Sequence, residues 1–292
     1  MKMENGVHDI PNDIYHKSEG ISRSGLWEFK RSPAHYWNKY LNPERQKEEP
    51  SHDMKLGEYV HALVLEPENF NERYAVKPVL SELPRVGKLA DLGREEYDRQ
   101  KTARESMKIA NELTMNEFLE NSKDKEIIEP EIYRQAKAIA DSVLKDEIAE
   151  SLFKDVKVEQ SIYFTHKPTG LQCKVRPDAW AGSIVTDLKT CADASYRAFQ
   201  FAAFKGGYFL QAAMIKAALD SIDIQLEKFI FFCVEKTGAM PCVYYILDDD
   251  ALDYGMTQFD TLMEQFAYCL ENDEWSAYEP QTLYIPHYAR FE

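Results

Sequence analysis

The sequence predicts an α/β protein. Three observations carry this: apolar residues repeat at helical spacing before about residue 155 and after 249, the strand-like runs fall between 156 and 247, and Pro168-Thr169-Gly170 joins two of those runs as a hairpin turn. At 292 residues the chain is long enough to bury a large core.

Residues 1–20 lack periodicity and are expected to form an arm, leaving 21–292 as a single domain. Ile21-Ser22-Arg23-Ser24-Gly25-Leu26 opens a helix that carries Leu26 and Phe29, with Ser22 or Ser24 as its N-cap. A serine cap is worth about 1 kcal/mol, and the amides it leaves free attract anions. Both serines are therefore candidate phosphate contacts, with capping alone as the plain alternative. Ser32-Pro33 restarts a helix with proline in its first turn, and a polar break runs from Asn42 to Ser51.

Met54 to Glu66 reads as an apolar helix stopped by Pro67, with Leu56, Val60, Leu63 and Val64 as its buried stripe. His61 lies at the edge of that stripe, one turn after Gly57. Residues of about 88–150 form a charged, helix-favouring segment with two stripes, Met107/Ile109/Leu113/Phe118 and Ile132/Ala136/Ile139/Val143. Val156 to Phe164 reads as a strand with Val156, Val158, Ile162 and Phe164 on one face and Glu159 on the other. Leu171 to Arg176 alternates and ends at Pro177, which has no amide hydrogen for a central ladder. Tyr196 to Leu219 forms one or two helices broken at Gly206-Gly207, the second carrying Tyr208 and Gln211 on one face. Phe229–Val234 and Val243–Leu247 are buried strands. Asp249–Asn272 is a closing helix with Leu252, Met256, Phe259, Leu262 and Phe266 inward, and the tail from Trp275 to Phe291 is expected to cross the surface.

The chemistry concentrates at Arg176-Pro177-Asp178 and, after a short gap, Asp187-Leu188-Lys189. Alternate strand residues share a face, so Asp187 and Lys189 point one way with Val185 while Ile184, Thr186 and Leu188 point the other. Asp178 sits at a strand end, where its carboxylate can lean toward the next strand. Two carboxylates and a lysine so placed can hold a hard divalent cation against a phosphodiester and set an ammonium beside the attacking water, which points to metal-dependent DNA cleavage. The plain alternative is a solvated hairpin rim with an Asp–Lys pair.

The formal charge of −15 argues against a general DNA-coating protein and leaves room for a local basic channel. No apolar run approaches the length of a membrane span, and the start of the chain has no secretory pattern, so a cytoplasmic protein is expected. The five cysteines are scattered without a CxxC pair, as reduced core residues would be.

The order of parts resembles a known family. Ser-x-Ser-x-Leu with Ser-Pro-Ala-His-Tyr, then Gly57…His61-Ala62-Leu63-Val64-Leu65-Glu66-Pro67-Glu68, then Val-Arg-Pro-Asp…Asp-Leu-Lys-Thr, then Tyr-x-x-Gln-Ala-Ala is similar to the exodeoxyribonuclease VIII (RecE) nuclease domain of prophages. That group lies within the PD-(D/E)xK, RecB-like and lambda-exonuclease-like nucleases. The resemblance runs from about Ile21 to the C-terminal tail. It implies a twisted, mixed central sheet flanked by helices, with a helical insertion. It also implies His61, Asp178, Asp187 and the Leu188 backbone carbonyl as magnesium ligands, with manganese as the alternative ion, and Lys189 beside the nucleophilic water. Tyr208 and Gln211 match the family's motif after the core and are the DNA contacts it implies, although the family often has tyrosine where this chain has Ile215; Ser22 and Ser24 stay candidate phosphate contacts from their capping position, and Glu159 a second-tier candidate that faces solvent or the site. No cysteines accompany the Ser-Pro element or the C terminus, so no iron–sulfur cluster is expected.

The implied activity is degradation of linear duplex DNA from a 5′ end to leave 3′ single strands for phage recombination. A RecT-like single-strand annealing protein would be the partner, a homo-oligomeric ring the assembly, and a bacterial host cell the setting. Two other readings use the same residues: a RecB-like endonuclease or single-strand nuclease, and a non-cleaving DNA-end or protein-binding module on a nuclease fold.

Overall fold

The computed structural model describes residues 1–45 and 49–285. In chain order its strands are β1 (Gly6–His8), β2 (Tyr74–Val76), β3 (Glu126–Ile128), β4 (Lys157–Val158), β5 (Ser161–Thr165), β6 (Gln172–Val175), β7 (Ala179–Ala181), β8 (Ile184–Cys191), β9 (Lys228–Glu235) and β10 (Cys242–Ile246). β9 is apolar on both faces and β8 is buried along its middle, which places these strands at the centre. A mixed sheet results, ordered β10-β9-β8-β7-β4, in which β8 and β9 run parallel and the other pairs antiparallel. A parallel pair needs a long crossover, supplied here by the helices Tyr196–Gly206 and Tyr208–Asp220.

Strand alternation divides the interior in two. Val185, Phe229, Phe231 and Cys233 face a core shared with the Arg23–Arg31, Tyr208–Asp220 and Asp249–Asn272 helices. Leu188, Phe232 and Val234 face a second core built on the His52–Leu65, Pro130–Leu144 and Glu147–Phe153 helices. The crossover bends at Gly207, whose φ of 70° suits glycine and whose absent side chain matters. A Cβ there would lie 2.4 Å from the Trp27 ring.

A three-stranded sheet, β1-β5-β6, packs beside the first. The β5–β6 hairpin closes through Gly170 at φ 70°. Residues 1–20, expected as an irregular arm, contribute β1 as an edge strand on β5 and the short helix Asn12–Lys17. Lys174 ties that helix down: its ammonium donates to the Tyr15 and Ser18 carbonyls, both at 2.7 Å, and is buried beside the Tyr15 ring.

Two expectations are corrected. The strand expected from Val156 to Phe164 is broken into β4 and β5, which belong to different sheets, because Glu159 adopts a left-handed φ of 49° that turns the chain between them. The Met107/Ile109/Leu113/Phe118 stripe is no core. The Arg94–Asn121 helix has no buried residue, and Ile109 and Leu113 face outward, since only the extended segment before it lies alongside. The β2–β3 parallel pair was not foreseen, because three residues are too few to display a period. The expected tail beyond residue 285 lies outside the described residues.

Candidate active site

Pro177 ends β6's run, and Asp178 directly precedes β7, from where its carboxylate spans to β8. Oδ2 accepts a hydrogen bond from the Leu188 amide at 2.8 Å. In a strand the N–H and C=O of one residue leave by the same edge, so the Leu188 carbonyl opens on the side where Asp178 stands. His61 comes from the His52–Leu65 helix, its Nδ1 3.5 Å from Asp178 Oδ2. Gly57, one turn earlier, lets that helix lie on β8. A Cβ there would already touch Thr190 Oγ1 at 3.4 Å, and a larger side chain would wedge the two apart.

The left-handed turn at Glu159 is held by its amide, which donates to the Asp178 carbonyl at 3.1 Å. Its carboxylate thereby reaches the same place, and one ligand atom each from His61, Glu159 and Asp178 lies within 4.8 Å of the others. Arg176 Nε stands 3.0 Å from Glu159 Oε2, and Arg176 Nη2 donates to the Ile10 carbonyl, coupling the cluster to the N-terminal segment. An imidazole nitrogen and two carboxylate oxygens at this spacing suit a divalent cation.

Asp187 is fully buried and turned to a second set of partners. Its Oδ1 accepts from Gln211 Nε2 at 2.6 Å, and its Oδ2 lies 2.5 Å from Lys189 Nζ as an ion pair off hydrogen-bond geometry. Lys189 also donates to Gln211 Oε1 at 3.2 Å and stands 4.7 Å from the centre of the Tyr208 ring. Tyr208 and Gln211 thus meet the aspartate–lysine pair from the start of their helix. Arg23 stacks on Tyr208 at 6.0 Å, and no carboxylate partner is present for it among the described residues.

The site crowds negative charge in a poorly solvated place. Burial, and then the Asp187 carboxylate, push Asp178 up to about 6. Burial followed by Asp178 raises Glu159 to about 8. For Lys189 burial opposes the charge, but Asp187 and Asp178 outweigh it and hold the ammonium above its ordinary range. Burial lowers the Arg23 guanidinium, with Asp187 opposing.

His61, Glu159, Leu188 and Lys189 line an open cleft of about 1350 Å³. Ser22 and Ser24 line a neighbouring cavity of about 1390 Å³ together with Arg23 and Gln211. Ser22 is the N-cap, accepting from the Gly25 amide at 3.2 Å, while Ser24 is exposed and 3.1 Å from the Ser22 hydroxyl. Sequence reasoning overlooked Arg23 and Arg176 as members of this site. Arg176 was visible beside Pro177-Asp178, but nothing in its spacing brings Arg23 to Tyr208, which depends on how two helices pack.

From residue 22 to 285 the sequence matches a family described as a PDDEXK-like domain of unknown function, DUF3799. Among solved structures, that of a candidate exonuclease from Eubacterium rectale is 15% identical and aligns over 97% of this chain and 93% of its own, with a TM-score of 0.59. The crystal structure of SSO0001 is 14% identical over 71% of this chain and 85% of its own, but at a TM-score of 0.27 it supports no conclusion. A search of curated proteins found no match.

Proposed function

The chain belongs to the PDDEXK-like family DUF3799, and from that premise we propose that it is a magnesium-dependent nuclease that degrades linear duplex DNA from the 5′ end. The observation that carries the reading is the convergence of His61, Glu159 and Asp178 on one cleft, with the Asp187–Lys189 pair directly behind them on β8. Asp178, His61, the Leu188 carbonyl and a carboxylate from Asp187 or Glu159 would hold the ion, Mg²⁺ or its close substitute Mn²⁺. When bound, such a cation polarises the scissile phosphate and lowers the pKa of a water.

The chain's own groups would do the rest. Lys189, kept protonated by the aspartates, is placed to orient the attacking water and to offset charge developing on the phosphate. Gln211 fixes the Asp187 and Lys189 side chains against each other, and Tyr208 packs the ammonium from below. Arg176 holds Glu159 in place. Ser24, Arg23 and Gln211 line the adjoining cavity, where a phosphate of the bound strand would sit.

The finer assignment rests on the sequence resemblance. It comprises 3′ single-stranded products for phage recombination, a RecT-like annealing partner, a homo-oligomeric assembly and action in the cytoplasm of a bacterial host. Among the described residues no helix is long and apolar enough to cross a membrane. The test is digestion of linear duplex labelled separately at each end, beside closed circular DNA. Release of the 5′ label first with circles spared supports the assignment, whereas nicked circles would make the protein an endonuclease.

A further inference from the structure

We propose that the outward face of the Tyr196–Gly206 helix, with Trp27 and Lys30 beside it, binds single-stranded DNA, bases stacking on its aromatic rings and phosphates pairing with its cations. This rests on the nuclease reading and adds a second DNA contact to it. Phe201 and Phe204 are 60% and 55% exposed on a helix whose inner face is filled by Phe199 and Ala203. Both rings keep more than half of their surface in water, and every base offers a face to stack on them. Lys205 lies 4.6 Å from the Phe201 ring centre, and Arg197 is exposed one turn before Phe201.

The face is continuous with the catalytic residues. The backbone carbonyl of Phe204 accepts the Gly207 amide at the end of the helix, the Trp27 ring covers Gly207, and the next residue is Tyr208 of the site. Lys30 stands 4.3 Å from the Trp27 ring centre, and Arg23, on the same face of that helix, stacks on Tyr208.

Charge selects the occupant. Arg23, Lys30, Arg197 and Lys205 stand among these rings, in a chain with 35 lysines and arginines against 50 acidic residues, while Arg31 and Lys39 are already paired with Glu28. The Tyr196–Gly206 helix itself has no acidic residue. A surface that gathers cations and exposed rings on an otherwise acidic protein fits a flexible polyanion with accessible bases. Asp249, Asp250 and Asp253, on the turn that carries Tyr254, bound the face where Phe204 meets Tyr254.

The experiment is fluorescence anisotropy of the full chain with a fluorescein-labelled oligothymidylate about 15 nucleotides long, in EDTA so that no cleavage occurs. The Phe201→Ala/Phe204→Ala double variant should weaken binding by about tenfold or more, Lys205→Glu should weaken it further at low salt, and Phe204→Trp should restore it. A blunt duplex should be bound equally by wild type and the double variant. Because these side chains are exposed, melting temperatures should be unchanged, which separates loss of contact from loss of fold. Equal affinity of wild type and the double variant, or no binding by wild type, overturns the proposal. Metal-dependent cleavage would stand in either case, and its absence with the stacking effect intact would sink only the nuclease reading.

Discussion

Gln211 is the side chain on which the aspartate–lysine arrangement turns, and its replacement by leucine isolates that role. The change keeps the volume while removing two hydrogen bonds at once, one to Asp187 Oδ1 at 2.6 Å and one from Lys189 at 3.2 Å. Asp187 is fully buried, and its other oxygen already lacks a well-aligned donor, so the variant leaves a buried carboxylate with only its ion pair. An unsatisfied buried group of this kind costs about 1–3 kcal/mol. Gln211→Leu should therefore lower the unfolding free energy by about that amount in urea denaturation. With Asp187 and Lys189 no longer fixed against each other by Gln211, cleavage should fall by about 10–100-fold, the range seen when a group supporting a metal ligand is lost. Gln211→Glu provides the contrast at equal size. It sets a second carboxylate against Asp187, and like charges about 4 Å apart repel by about 4 kcal/mol at an effective dielectric of 20. The new group should hold a proton to unusually high pH, so this variant is stable at low pH and loses stability as pH rises through the raised folded-state pKa. Wild-type stability and rate in the leucine variant would refute the reasoning.

Other groups make separate predictions. Glu159→Gln should raise the Mn²⁺ dissociation constant by about tenfold or more in calorimetric titration if the left-handed turn serves a ligand, and an unchanged constant would leave Glu159 as the partner of Arg176 alone. His61→Ala should raise the magnesium concentration for half-maximal cleavage, and an identical requirement would return His61 to the edge of its helix. Ser24→Ala should reduce discrimination between phosphorylated and unphosphorylated 5′ ends, whereas equal discrimination would leave Ser24 without a role in end binding. Burial lowers Lys174 from 10.5 to about 8, so the unfolded chain binds the extra proton between those values and stability rises with pH across that window. Relative to Lys174→Met, wild type should gain about 1 kcal/mol per unit from pH 8 upward. Parallel pH profiles of the two proteins would show that the hydrogen bonds to Tyr15 and Ser18 keep the lysine charged.

What the sequence made legible follows from how local each rule is. Strand alternation is a local rule, and it placed Asp187 and Lys189 on one face of β8 before any packing was known. Pro177 likewise announced that Asp178 stands at a strand end. Glu159 shows where local rules stop: its neighbours have the alternation of a continuous strand, while its left-handed backbone is met by the Asp178 carbonyl just before β7, distant in sequence. The Ile109 and Leu113 stripe fails for a related reason. Helical spacing records amphipathicity but does not say which face another element covers, and on Arg94–Asn121 the far face is left to solvent. Arg23 at Tyr208 and Trp27 on Gly207 depend on two helices meeting across a core, which no spacing within either helix encodes.

The most direct test of the central claim is digestion of linear duplex DNA by wild type and Asp187→Ala, with magnesium and with EDTA, beside a circular-dichroism melt of each protein. Magnesium-dependent degradation by wild type is expected, with none in EDTA and none by a folded Asp187→Ala variant. Degradation by Asp187→Ala at the wild-type rate would contradict that claim.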